Sequence, residues 1–170
     1  MVVLGIDPGY AIVGWGVIEY SHSRFKVLGY GAITTEAQTP FAERLQIIYN
    51  DMCYLFTKYK PEVMSMEKLF YNSNQKTVID VAQARGVITL AAQMNNKNIF
   101  EYTPLQVKQS VTGYGRAEKK QVMEMTRSIL NLPEVPKPDD TADALAMAIC
   151  HAHCSGSAIG KLNNLLKKDI

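Results

Sequence analysis

A chain of 170 residues fits one domain of ordinary size, and 47% hydrophobic residues suffice to bury a core without disulfides or a structural metal. Three cysteines (Cys53, Cys150 and Cys154) are too few, and odd in number, for a secreted disulfide framework. No apolar run approaches the roughly 18 residues that a membrane span needs, so a reduced, cytoplasmic setting is expected. The net charge of +2 argues little by itself about a partner.

Taken in order, Met1 to Asp7 reads as a short buried strand. Ile12 to Tyr20 and Phe25 to Thr34 read as two more, rich in β-branched and aromatic residues, with a turn at Ser21 to Arg24. Pro40 to Lys58 has helical periodicity, with Leu45, Ile48, Met52 and Leu55 on one face and Pro61 closing the segment. Glu62 to Glu67 is a fourth strand, Asn74 to Asn95 a long helix and Asn98 to Tyr102 a fifth strand. Thr103 and Pro104 start a helix to Val111 as N-cap and first helical residue. After a Gly113-Tyr114-Gly115 loop, Ala117 to Leu130 is helical. The proline-rich stretch from Leu132 to Pro138 ends regular structure, and Asp139 or Asp140 opens a last helix to about His153. Three strands followed by alternating helix and strand predict an α/β layer architecture with a mixed sheet. The first strand, apolar and without a solvated face, is expected at its centre.

Four carboxylates stand out. Asp7 ends the first strand, which cannot continue through Pro8, and Glu67 ends the fourth. If those strands are neighbours, both acids project from one rim, where sites in open α/β sheets form. Asp140 and Asp143 share a helix face at the start of the last helix. Acids there also answer the helix dipole, which would account for Asp140 alone. Asp143 precedes the apolar run Ala144 to Cys150, so it faces inward, where an unpaired carboxylate is costly. Converging carboxylates call for divalent cations, and all-oxygen ligands favour Mg²⁺ or Mn²⁺ over zinc. Two such ions about 4 Å apart suit phosphodiester hydrolysis by water. With these four acids set aside, 12 acidic residues face 18 basic ones, a balance of +6 that would attract phosphate around an acidic pocket.

The segments IDPGYAIVGWGVI, Glu67-Lys68-Leu69-Phe70, DVAQARGVITLAAQ, EYTPLQVKQSVTGYGRAEKKQV and DDTADALAMAICHAH, in this order over nearly the whole chain, resemble the RuvC family of Holliday junction resolvases. The resemblance implies an RNase H-like fold: a mixed five-stranded sheet, with an antiparallel meander of strands 1–3 and then parallel strands, flanked by helices. Residues 1–155 would form this single nuclease domain and 156–170 a tail, as a short helix or partly disordered. It implies a homodimer that nicks two symmetric strands of a four-way junction in recombination and repair, with Mg²⁺ as cofactor and Mn²⁺ as substitute. RuvA and RuvB branch-migration proteins are the family's partners. The four catalytic, metal-holding acids map onto Asp7, Glu67, Asp140 and Asp143. The Asp-x-x-Asp spacing selects Asp140, with the adjacent Asp139 as fallback or helix cap. Phe70 matches an aromatic that stacks on an unpaired base, although a core position also suits it, and Tyr71 beside it is a weaker candidate. Lys108 and Lys119 match basic residues near the scissile phosphate. With Arg116 and Lys120 they give Tyr102 to Met123 a local charge of +3, which also suits a solvated helix face.

Other features lead elsewhere. Cys150-His151-Ala152-His153-Cys154 has the look of a zinc knuckle, but cysteines four apart on a helix are ordinary core spacing. Gly9, Gly14 and Gly16 precede a strand rather than a helix, so they are no dinucleotide fingerprint; tight turns and close approach within the strand pair are expected. Apolar residues of the Asn74 to Asn95 helix (among them Ile79, Val87, Leu90 and Met94) cover more than one face, which suits a two-fold contact or another helix of the same chain. A junction-binding module without activity is the alternative function. An actin-type ATPase would need a second phosphate loop and a longer chain.

Overall fold

The structure, a computed structural model, describes residues 1–68 and 78–156. The expectations for Phe70, Tyr71, the first residues of the Asn74 helix and the tail beyond residue 156 lie outside the described residues. The elements are β1 (Val2–Asp7), β2 (Ile12–Ser21), β3 (Arg24–Thr34), α1 (Phe41–Tyr59), β4 (Val63–Glu67), α2 (Val78–Met94), β5 (Asn98–Tyr102), α3 (Pro104–Thr112), α4 (Lys119–Ile129) and α5 (Asp139–Gly156). One mixed sheet has the order β3-β2-β1-β4-β5, with β1 at its centre. β1 to β3 form the antiparallel meander, and β4 and β5 run parallel to β1.

The period-2 alternation of the strands sorts side chains into two cores. Leu4 and Ile6 of β1, Val13 and Val17 of β2, and Met64 and Met66 of β4 face α1 and α2, where Ile48, Met52, Phe56, Ile88 and Ala91 cover them. Val3, Ile18 and Tyr102 face the other way, against Leu145, Ile149, Val107 and Val122 of α3, α4 and α5. Asp7 has the parity of Val3, and Glu67 that of Val63, which packs in the second core. Both carboxylates therefore point to the α5 side of the sheet.

α5 lies unusually close to that face. A Cβ on Gly5 would sit 2.0 Å from the Ala144 carbonyl oxygen, and one on Gly14 would sit 2.0 Å from that of Asp140. A Cβ on Gly16 would meet the Leu145 side chain at 2.6 Å. The close approach expected of Gly14 and Gly16 is thus to α5 rather than within the strand pair. The alanines at 142, 144, 146, 148 and 152 supply the complementary small surface, and all are buried.

Two helix starts are fixed by side chains. The Gln106 amide N–H donates to Thr103 Oγ1 at 3.2 Å while Thr103 N–H donates to Gln106 Oε1 at 2.8 Å, so the predicted cap is a full reciprocal box. Glu118 N–H donates to Gln121 Oε1 at 2.9 Å, which sets the start of α4 at Lys119, two residues later than its periodicity suggests. Among the described residues no helix is long and apolar enough to cross a membrane.

Candidate active site

β1 and β4 are parallel neighbours, with Ile6 opposite Met66, so Asp7 and Glu67 each stand one position beyond a paired residue on adjacent strands. On the other side, β2 sets Gly14 opposite Asp7, and Gly14 is the residue against which the Asp140 backbone rests. The strand register and the missing side chain at position 14 together bring the first turn of α5 over the strand ends. α3 and α4 flank it.

A cavity of about 250 Å³ opens there, lined by Glu67, Lys108, Lys119 and Asp143 over a wall of Pro104, Val107, Val122, Ala146 and Met147. Lys119 Nζ lies 2.9 Å from Asp143 Oδ2 and 3.7 Å from Asp139 Oδ2. Asp7 and Asp140 are not among the lining residues; both join the site electrostatically. Burial, followed by the charges of Asp143, Asp140 and Glu67, pushes the Asp7 carboxyl up to about 7, against a smaller pull from Lys119. Burial and Asp143 also raise Glu67, while Lys108 and Lys119 hold it down. Asp143 is raised by burial, opposed by its bond to Lys119.

The structure thus brings Asp7, Glu67, Asp140 and Asp143 into one electrostatic cluster, with Lys108 and Lys119 beside it. Asp140, not Asp139, is the member of the adjacent pair whose charge acts on Asp7. Asp139 is exposed and meets Lys119. Arg116 and Lys120 are exposed and do not line the cavity.

The donor set suits a hard divalent cation: four carboxylates, oxygen only, with Asp7 pushed up by burial and then by the other three acids, more than Lys119 pulls it down. Even so, among the described residues no three acidic, histidine or cysteine side chains are gathered as a ready cage. The Lys119 ammonium pairs with Asp143.

The Cys150 to Cys154 segment makes other contacts. His151, held neutral by burial with its pKa lowered to about 4, has its Nδ1 2.7 Å from the Tyr102 hydroxyl. His153 Nδ1 lies 3.2 Å from Ser110 Oγ. Cys150 is buried and Cys154 exposed.

Sequence reasoning passed over Arg44. Its Nε donates to Thr35 Oγ1 at 2.8 Å, and Thr35 Oγ1 donates to the Tyr10 carbonyl at 2.7 Å. The guanidinium also lies 4.6 Å from the Tyr10 ring centroid. Arg44 is only 7% exposed and so fastens the turn after Asp7 to the first turn of α1. The available signal was a basic residue on the same helical face as Ile48, Met52 and Leu55.

The family model of crossover junction endodeoxyribonuclease RuvC matches residues 3–151. A protein of that name from Alkaliphilus oremlandii is 58% identical over 153 residues, covering 90% of this chain and 93% of its own length. The RuvC of Clostridioides difficile is 54% identical over 167 residues, covering 98% of this chain and 96% of its own. The structure of Thermus thermophilus RuvC in complex with Holliday junction substrate superposes with a TM-score of 0.83 at 32% identity, covering 91% of this chain and 95% of that one. The architecture is accordingly RNase H-like. The chain belongs to the crossover junction endodeoxyribonuclease RuvC family.

Proposed function

We propose that this protein resolves four-way DNA junctions by divalent-cation-dependent phosphodiester hydrolysis, nicking two symmetric strands as a homodimer in recombination and repair. The observation that carries this reading is the cluster at one sheet rim: half-buried Asp7, raised by desolvation and then by three other carboxylates, with Lys108 and Lys119 beside it. Asp7, Glu67, Asp140 and Asp143 would hold Mg²⁺ or Mn²⁺. When bound, the cation supplies the positive charge that activates the attacking water and stabilises the leaving oxygen of a phosphodiester. Lys108 and Lys119 give the cavity a positive wall that draws a backbone phosphate toward the acids. Arg116 and Lys120, both exposed and close in sequence to Lys119, would extend that attraction to flanking phosphates. Phe70 would offer a stacking face for a base that leaves its pair near the crossover. The tight fit of α5 on Gly5 and Gly14 keeps Asp140 and Asp143 fixed relative to Asp7.

α2 supports the homodimer. Ala84, Ile88, Ala91 and Ala92 are buried in the core beneath α1, yet Ile79, Leu90 and Met94 remain 67%, 54% and 66% exposed. Helix α1 of the same chain therefore leaves an apolar face on α2, which a second copy related by a two-fold axis would cover. Replacing Leu90 by Asp places a charge on that face and should leave the monomer folded. Sedimentation should then show a monomer, and junctions should receive unpaired single nicks. A Leu90→Asp dimer that still makes paired nicks would remove this face from the interface. RuvA and RuvB remain the expected partners through family membership.

The test of the function is a synthetic four-way junction with labelled strands, incubated with the dimer and Mg²⁺ or Mn²⁺. Paired nicks at symmetric positions in two opposing strands are expected, with none in chelator. Binding without nicks in either cation would instead support a junction-binding module lacking activity.

A further inference from the structure

Lys119 is both a cavity-lining cation and the direct partner of a proposed cation ligand. Its Nζ is 2.9 Å from Asp143 Oδ2, which places an ammonium on one of the two oxygens that Asp143 could offer a divalent ion. A second carboxylate oxygen, from Asp139, lies 3.7 Å away, so the ammonium bridges two acids of the same helix turn. Lys108 lines the same cavity and its charge acts on Glu67, but among the described residues it makes no ion pair with any of the four acids. The two lysines thus differ in what they hold, although they carry the same charge into the same space.

The backbone beneath Lys119 is fixed, because Glu118 N–H and Gln121 Oε1 lock the start of α4. The side chain itself is 57% exposed, so its four-carbon stem can swing without disturbing the helix. A phosphodiester arriving at the cavity would offer the ammonium a different anion.

We propose that Lys119 occupies, in the free protein, the position at Asp143 that a divalent cation must take, so that a backbone phosphate promotes cation binding by drawing the ammonium away. This rests on the reading of the four acids as a cation site, and it makes Lys119 a positioning residue that orders substrate before cation. The coupling is reciprocal: whatever tightens the cation in the presence of DNA must tighten DNA equally in the presence of the cation.

The experiment measures Mn²⁺ binding to the intact protein without DNA, from the loss of the free-ion electron paramagnetic resonance signal. Lys119→Met should bind Mn²⁺ about tenfold more tightly than wild type, within the usual range of such couplings. Lys108→Met removes the same charge from the same cavity and should tighten binding by much less. Lys119→Gln, a second replacement, should behave as Lys119→Met does, and circular dichroism shows whether each is folded. Equal effects of Lys119→Met and Lys108→Met would reduce the role of Lys119 to general charge and overturn the proposal. So would no tightening in either Lys119 variant. Asp7→Asn separates this from failure of the underlying reading. If it weakens Mn²⁺ binding while the Lys119 variants do not tighten it, the cation site stands and only the ordering role falls. If Asp7→Asn leaves Mn²⁺ binding unchanged, both fall.

Discussion

Replacing Asp7 by Asn is expected to abolish strand cutting and, at the same time, to stabilise the free protein at neutral pH. The carboxyl is pushed up to about 7 by burial and by the charges of Asp143, Asp140 and Glu67. Its value in the unfolded chain is the ordinary 3.8. Between these two pH values the folded protein binds more protons at this group than the unfolded one. The contribution of Asp7 to stability is therefore most favourable below pH about 4, and it is lost progressively as pH rises to about 7. Above that, a half-buried and repelled carboxylate remains as a standing penalty. A shift of this size corresponds to roughly 4 kcal/mol at most, from about 1.36 kcal/mol per pH unit. Water and counterions reduce it, so a gain on the order of 2 kcal/mol is expected for Asp7→Asn at pH 8 without divalent cations. The gain should shrink toward zero as the pH is lowered to 4. Thermal melting across that range checks it, and equal melting temperatures at pH 8 would mean that Asp7 is not held in a strained cluster. Cutting should fall by about 10³-fold or more, the scale of losing a principal electrostatic contributor, while junction binding in chelator is largely kept. On the proposed ligand role of Asp7, its protonation weakens the site, so the affinity of the wild type for Mg²⁺ should rise with pH through about 7.

Gly14→Val is expected to be the most damaging change outside the acids. Its Cβ would lie 2.0 Å from the Asp140 carbonyl oxygen, 2.3 Å from the carbonyl carbon and 2.9 Å from the Thr141 nitrogen. All three are backbone atoms, so no rotamer can relieve the overlap. Either β2 or the first turn of α5 must move. Overpacking of this kind costs about 3 kcal/mol or more, so a marginally stable domain is brought near unfolding. Any folded fraction should have lost activity, because the displaced turn carries both Asp140 and Asp143. Gly14→Ala carries the same clashing Cβ without the further branches of Val, so it should show the same displacement with a smaller loss, read as melting temperature and activity. Activity that survives Gly14→Ala at the wild-type level, with unchanged melting temperature, would show that α5 does not sit as close to β2 as described.

These two residues also show what could be read in the sequence. The strand boundaries, the helix periodicities and the placement of Asp7 and Glu67 at strand ends follow from short-range pattern. The central position of β1 follows from its lack of a solvated face. Once β1 and β4 are neighbours, parity alone sends both acids to the same side as Val3 and Val63. The reason for Gly14 was not legible, because it depends on how a helix more than a hundred residues later docks on the sheet. The cavity wall of Val107, Val122 and Met147 is of the same kind: each looks like an ordinary core residue on its own helix. The Lys119–Asp143 pair was hidden for a related reason, since local charge in α4 marks a basic face without saying which lysine turns inward. The capping of α4 was legible in principle, as Glu118 and Gln121 stand at the spacing of a reciprocal box, but the acidic cap lacks the usual Ser or Thr. On the adjacent aspartates, spacing favoured Asp140, and the structure adds that its charge reaches Asp7 while Asp139 turns out toward Lys119.

The central claim is that Asp7, Glu67, Asp140 and Asp143 hold the cation that the reaction uses. Anomalous scattering from crystals grown with Mn²⁺ and a non-cleavable four-way junction tests it most directly. The account predicts one or two manganese peaks at the ends of β1 and β4, with oxygens of Asp7 and at least two of the other three acids within about 2.0–2.4 Å, the range for hard divalent ions on carboxylates. Lys119 should be turned toward a phosphate. Manganese peaks that touch neither Asp7 nor Asp143, next to a junction bound across the same cavity, would contradict it.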